Sequence, residues 1–178
     1  MVKLETCDII LWKNIKSDPI SELSRWAIGP WGHVAMYLGK FRSVPMVYES
    51  RARGVNIASL LPQTGAAVAV MRPWIRIPQS EMVCTAFQIA ADERSFFDYF
   101  AVVHSVLPRV LIEKLHLPLP LIYHRDIFMV CSEAVAEVWW RNGIEVVPKD
   151  VIPLPTDFRS SYFLICVGEG KLMEDIVP

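Results

Sequence analysis

Gly32-His33-Val34-Ala35-Met36-Tyr37-Leu38-Gly39 decides how the rest of this chain is read. His33, Ala35 and Tyr37 fall on one face, and Val34, Met36 and Leu38 on the other. That period of two is the signature of a strand, with Gly39 closing it. Residues 44–50 read as a second strand, and residues 54–57 as its continuation after a bend. Residues 66–72, ended by Pro73, form a third. Upstream, Asp8-Ile9-Ile10-Leu11-Trp12 reads as a short, largely buried strand. Between them a short helix is predicted over residues 21–26, followed by the loop Gly29-Pro30-Trp31-Gly32.

Downstream the period changes. Residues 80–91 and 95–107 have helical spacing, each opened by a serine able to cap it. Residues 108–123 carry three prolines among many leucines, and read as a short helix over 110–115 and an extended apolar loop. Residues 131–141 form a clear helix stopped by Asn142-Gly143. A proline-rich segment, 148–155, leads to a last strand over 162–167. Strands gathered before and after a helical middle predict an α+β fold, an antiparallel β-sheet packed against helices. At 178 residues, one domain covering 1–178 is expected, large enough to bury a core without disulfides or metal.

Composition narrows the function. The net charge of −1 offers no basic field for nucleic acid. Arg51 and Arg53, and Arg72 and Arg76, are local clusters best read as solvated loop or strand edge. The mean hydropathy of +0.32 is high. Even so, the longest uncharged run, residues 54–71, contains Asn56, Pro62, Gln63 and Gly65, and so is not a membrane span. The first residues carry acid early and lack a long apolar run, so no secretory signal is expected. A cytoplasmic location follows, with release by lysis or non-classical export as the route outward. Four widely spaced cysteines without a CxxC argue for reduced thiols and against a metal site, and no cofactor motif is present.

A cysteine nucleophile needs a thiolate, a base and a local field that favours the anion. Cys131 opens the helix Cys131-Ser132-Glu133-Ala134-Val135-Ala136-Glu137-Val138-Trp139-Trp140. The free N–H groups of a helix start lower a thiol's pKa and can donate to an oxyanion, the backbone N–H of Ser132 among them. Cys7, Cys84 and Cys166 lie in or near strands or inside a helix and read as small buried hydrophobes. Among the four histidines, His33 is the favoured base. It follows a glycine at a strand start, with Trp26 and Trp31 as cleft walls and Gly32 leaving room for substrate backbone. His104 falls in an apolar helix, and His116 and His124 flank the proline-rich insertion. Glu49 lies on the next strand, where an antiparallel pairing would bring it beside His33 to orient the ring. The competing reading of Glu49 is an exposed acid on an edge strand.

The Gly32 to Gly39 strand, Val47-Tyr48-Glu49-Ser50 with Gly54-Val55-Asn56-Ile57 behind it, and Cys131-Ser132-Glu133-Ala134-Val135 occur in that order. This ordered set resembles the circularly permuted branch of the NlpC-type papain-like cysteine peptidases, the YiiX/YaeF-like proteins. Asp8-Ile9-Ile10 and Pro153-Leu154-Pro155-Thr156-Asp157-Phe158 look like the family's ends, so the resemblance spans nearly the whole chain. It implies a permuted papain-like fold with Cys131 as nucleophile, His33 as base and Glu49 as orienting residue. It also implies hydrolysis of a peptide or isopeptide-like amide, cell-wall peptides included, through a thioester acyl-enzyme. The longer apolar segment 108–123 departs from the family pattern. Two alternatives remain open. One is a lipid acyltransferase, phospholipase or thioesterase acting on an acyl-lipid substrate, though such relatives usually have a second histidine where Glu49 stands. The other is a catalytically silent binding module. The pattern fixes no oligomeric state.

Overall fold

The computed structural model describes residues 1–13, 29–51, 54–92 and 130–178. The helices read at 21–26, 95–107 and 110–115, the apolar segment 108–123, and Trp26, Arg53, His104, His116 and His124 lie outside the described residues. In chain order the elements are β1 (Val2–Lys3), β2 (Ile9–Lys13), β3 (Trp31–Phe41), β4 (Val44–Arg51), β5 (Gly54–Ser59) and β6 (Ala67–Pro73). They continue with α1 (Gln79–Ala91), α2 (Cys131–Arg141), α3 (Pro155–Arg159), β7 (Leu164–Lys171) and β8 (Ile176–Val177). Six strands form one antiparallel sheet in the order β5-β4-β3-β2-β6-β7, and β1 pairs with β8 in a small parallel ribbon. The α+β class with an antiparallel sheet is therefore as expected.

Both faces of the central strands are buried, and alternation assigns their side chains to two cores. Ile9, Leu11, Val34, Met36, Tyr48, Ala69 and Met71 face the helices, against Met82 and Ala86 of α1 and Val135, Val138 and Trp139 of α2. Ile10, Trp12, Ala35, Tyr37, Val47, Val68 and Val70 face the other way, under Leu4, Leu60, Leu172 and Ile176. Burying each large apolar side chain contributes about 1.5–3 kcal/mol. The second cover, built from the β1–β8 ribbon, was not foreseen, because two-residue strands carry no periodic signal.

Several boundaries differ from the expectation for identifiable reasons. Gly39 does not close β3. The strand runs on to Phe41 past an irregularity between Tyr37 and Gly39. Residues 54–59 are not an extension of β4 but a separate strand folded back on it, with Arg51 opposite Gly54. No serine caps α1. Its N-cap is Pro78, and Ser80 instead hydrogen-bonds Glu81. The end of α2 is as read. Gly143 has φ +77°, its N–H reaches Trp140 O, and the Ile144 N–H reaches Trp139 O, the two bonds of a Schellman motif.

The β3–β4 hairpin turns on Arg42 and Ser43, both left-handed (φ 47° and 67°). That geometry suits a two-residue type I′ turn, which favours Asn-Gly. Replacing Arg42-Ser43 by Asn-Gly is expected to raise unfolding stability by about 1 kcal/mol, since non-glycine residues are strained there. Urea denaturation reads the gain, and an unchanged midpoint would count against the turn assignment.

Candidate active site

The site forms where the start of β3, the end of β4 and the start of α2 converge. In the β2–β3 pairing Trp12 lies opposite His33 and Lys13 opposite Trp31, so Gly32 is skipped. Such a bulge re-aims side chains. Here it lets Trp31 join Val34 and Met36 in the helix-side core although their spacing is odd. His33 sits at this break, 21% exposed, with Trp12 tilted against its ring at 5.3 Å between centroids. The chain enters β3 through Gly29 (φ +87°), where a Cβ would stand 2.5 Å from Thr156 Oγ1. Only glycine fits that close approach to α3.

β4 supplies the carboxylate. Continuing the β3–β4 register from Met36 opposite Tyr48 puts the small Ala35 across from Glu49, and His33 on the diagonal. The His33 Nε2 to Glu49 Oε2 distance is 2.8 Å. Glu49 is only 2% exposed, so the reading as an exposed edge acid does not hold. Its other oxygen, Oε1, lies 2.7 Å from Arg51 Nε. The solvated role that the sequence suggests for Arg51 holds for about half of its side chain. Yet its alternation with Glu49 on one strand face was a signal available in the sequence.

α2 delivers the thiol. The Cys131 sulfur hydrogen-bonds the His33 ring, whose Nε2 is held by Glu49. Backbone N–H groups of Val34 and Ser132 also reach the sulfur. The Ser132 side chain is buried and donates to Pro153 O, which ties the helix start to the segment before α3. Thus Cys131, His33 and Glu49 are brought together, with the Ser132 backbone alongside and Gly32 exposed next to the base. Trp31 is corrected. It is 5% exposed and packs in the core, with Lys13 Nζ 5.5 Å from its ring centroid, so it is not an open cleft wall.

The electrostatics favour a thiolate–imidazolium pair. Burial alone would push the Cys131 thiol up, but the His33 hydrogen bond and charge, with the two backbone donors, bring it below an ordinary thiol. Burial likewise works against a charged His33, and its bonds to Cys131 and Glu49 outweigh that, lifting the ring to about 9. Glu49 is lowered because His33 and Arg51 overcome its burial. Elsewhere, cavities of about 660 Å³ near Arg72 and Gln79, and about 560 Å³ near Val147 and Tyr162, are not lined by these residues.

No family model and no curated protein matches the chain. Among solved structures it is similar to the metalloprotein YiiX from Escherichia coli O157:H7, described as DUF1105. The identity is 16%, the TM-score 0.65, and the match covers 94% of this chain and 98% of that one. The likeness shows a YiiX-like fold.

Two other cysteines depart from the expectation. Cys84 and Cys166 are exposed, and only Cys7 is buried, its thiol pushed up to about 12 by burial and then by Asp8. Selective labelling of Cys131 must therefore come from its ionisation rather than its access. At pH 6 an ordinary thiol is well under about 1% thiolate. Iodoacetamide at pH 6 is expected to modify Cys131 first. Cys7, buried with its thiol pushed up to about 12, should react last. Site-resolved mass spectrometry checks the order, and equal labelling of Cys84, Cys131 and Cys166 at pH 6 would contradict the ion pair.

Proposed function

We propose that this chain is a cysteine-dependent hydrolase of amide bonds, built on a permuted, NlpC-type papain-like arrangement. The observation that carries the reading is the continuous hydrogen-bonded line from Cys131 through His33 to Glu49 at the start of a helix. The Cys131 thiolate attacks the substrate carbonyl, forming a C–S bond, while the helix start stabilises the negative oxygen. As the C–N bond breaks, the His33 imidazolium gives its proton to the leaving amine. Neutral His33 then takes a proton from water, and the resulting hydroxide equivalent adds to the thioester carbonyl and displaces the Cys131 thiolate as the C–S bond breaks. An acid is released and the thiolate–imidazolium pair returns. Glu49 keeps the ring oriented and favours its charged form.

YiiX is described as a metalloprotein. In this chain Cys131 and His33 could each ligate a metal, but Glu49 is engaged with Nε2 of the ring. Among the described residues no group of three His, Cys, Asp or Glu side chains is placed to hold an ion, and no step above runs through one.

The substitutions separate chemistry from scaffold. Cys131→Ala should abolish turnover of amide and thioester test substrates with little change in melting temperature, because Ala134, Val135 and Val138 anchor the helix. His33→Ala should also abolish it. Glu49→Gln should be milder, since an amide oxygen still accepts the imidazole N–H. Turnover of the wild type should fall as pH rises through about 9, where His33 loses the proton the leaving amine needs. Full activity of Cys131→Ala would sink the proposal. Activity confined to lipid esters would move it to the acyltransferase class.

A further inference from the structure

Glu49 sits in a buried position with a different cation on each oxygen, His33 Nε2 on Oε2 and Arg51 Nε on Oε1. We propose that Arg51 is a positioning residue of this site. Its guanidinium fixes which carboxylate oxygen faces His33, and it balances the buried charge so that Cys131 can remain a thiolate. The inference rests on the cysteine-hydrolase reading above, and it adds a residue that acts on the sulfur through Glu49 and His33.

Thiolate, imidazolium and carboxylate alone sum to −1, and a buried site with that excess tends to take up a proton. The proton can go to Glu49, which then no longer holds the imidazolium, or to Cys131, which then is no longer a nucleophile. The Arg51 cation brings the sum to zero. Among the described residues the charged groups that act on Glu49 are His33 and Arg51, and the one that acts on Cys131 is His33. Asn56, opposite Glu49 on β5, is neutral. Glu133, in the first turn of α2, is a further buried carboxylate near the thiol, and Arg51 is the described cation paired with Glu49 besides His33. Geometry adds to charge. A carboxylate with one oxygen held by Arg51 cannot swing away from the ring, whereas one held by His33 alone can rotate about its terminal bond. Arg51 is 48% exposed, so solvent moderates its effect.

The test is the pH dependence of iodoacetamide alkylation at Cys131, read by mass spectrometry on the full chain. In Arg51→Gln the acid limb should move upward, slowing alkylation about threefold to tenfold at a pH on that limb. Arg51→Lys keeps the charge and should stay within about threefold of the wild type. Adding Arg51→Gln to Glu49→Gln should produce no further shift, because Arg51 acts through Glu49. An Arg51→Gln limb that superposes on the wild type overturns the inference. So does an equal shift in the Glu49→Gln background, or a fall in Arg51→Lys as large as in Arg51→Gln. Should Arg51→Gln fail to fold, the lysine variant decides by the same criterion. A wild-type limb at the position of an ordinary thiol would instead overturn the hydrolase reading itself, so the two failures are distinguishable.

Discussion

A carboxylate that is 2% exposed must find a counter-charge or accept a proton. Glu49 finds one for each oxygen, and much of the surrounding architecture serves that arrangement. β4 must lie beside β3 with a small residue, Ala35, opposite the acid, so that His33 can reach it on the diagonal. The β2–β3 bulge at Gly32 sets His33 where the strand changes face. α2 must then begin where its first residue meets the His33 ring. Its far end is fixed by the Schellman motif and its near end by the bond from Ser132 to Pro153. The helix is thus held at both ends, and the thiol's position follows from packing rather than from any bond the thiol itself makes.

The parts that were legible in the sequence are those with a strong local signature. Alternation over residues 33–38 and 44–50 located the two strands that carry base and acid. Three-to-four spacing over 131–141, with Asn142-Gly143 after it, located the helix that carries the thiol. What was missed had little local signature or depended on distant partners. The two-residue strands β1 and β8 exist only because they pair with each other. The short helix α3 is stabilised by the Leu154 N–H donating to Asp157, at the end of a proline-rich segment that was read only as leading to the last strand. Cys84 and Cys166 have apolar neighbours in sequence, yet they sit on the outer side of α1 and on the edge strand β7. Arg51 looked like part of a basic surface pair because its partner, Glu49, could only be known as buried once the sheet was assembled.

The similarity to YiiX at 16% identity fits this division. A six-stranded antiparallel sheet covered on both faces constrains residue size and alternation, not identity. Many sequences satisfy it. The site is a narrower constraint, since it requires particular groups at the ends of particular elements. Shared fold and shared chemistry are therefore separate statements for this chain.

The contact between Trp12 and His33 gives the site an optical reporter. The two rings lie 5.3 Å apart and tilted by 49°. An indole near an imidazolium attracts the cation through its π face, and a protonated imidazole quenches indole emission by accepting the excited electron. Among the described tryptophans, Trp12 is the one that neighbours the base across a strand pair. Its fluorescence therefore carries a record of whether the base holds its proton, readable without a substrate, a label or a change to any residue of the reacting line.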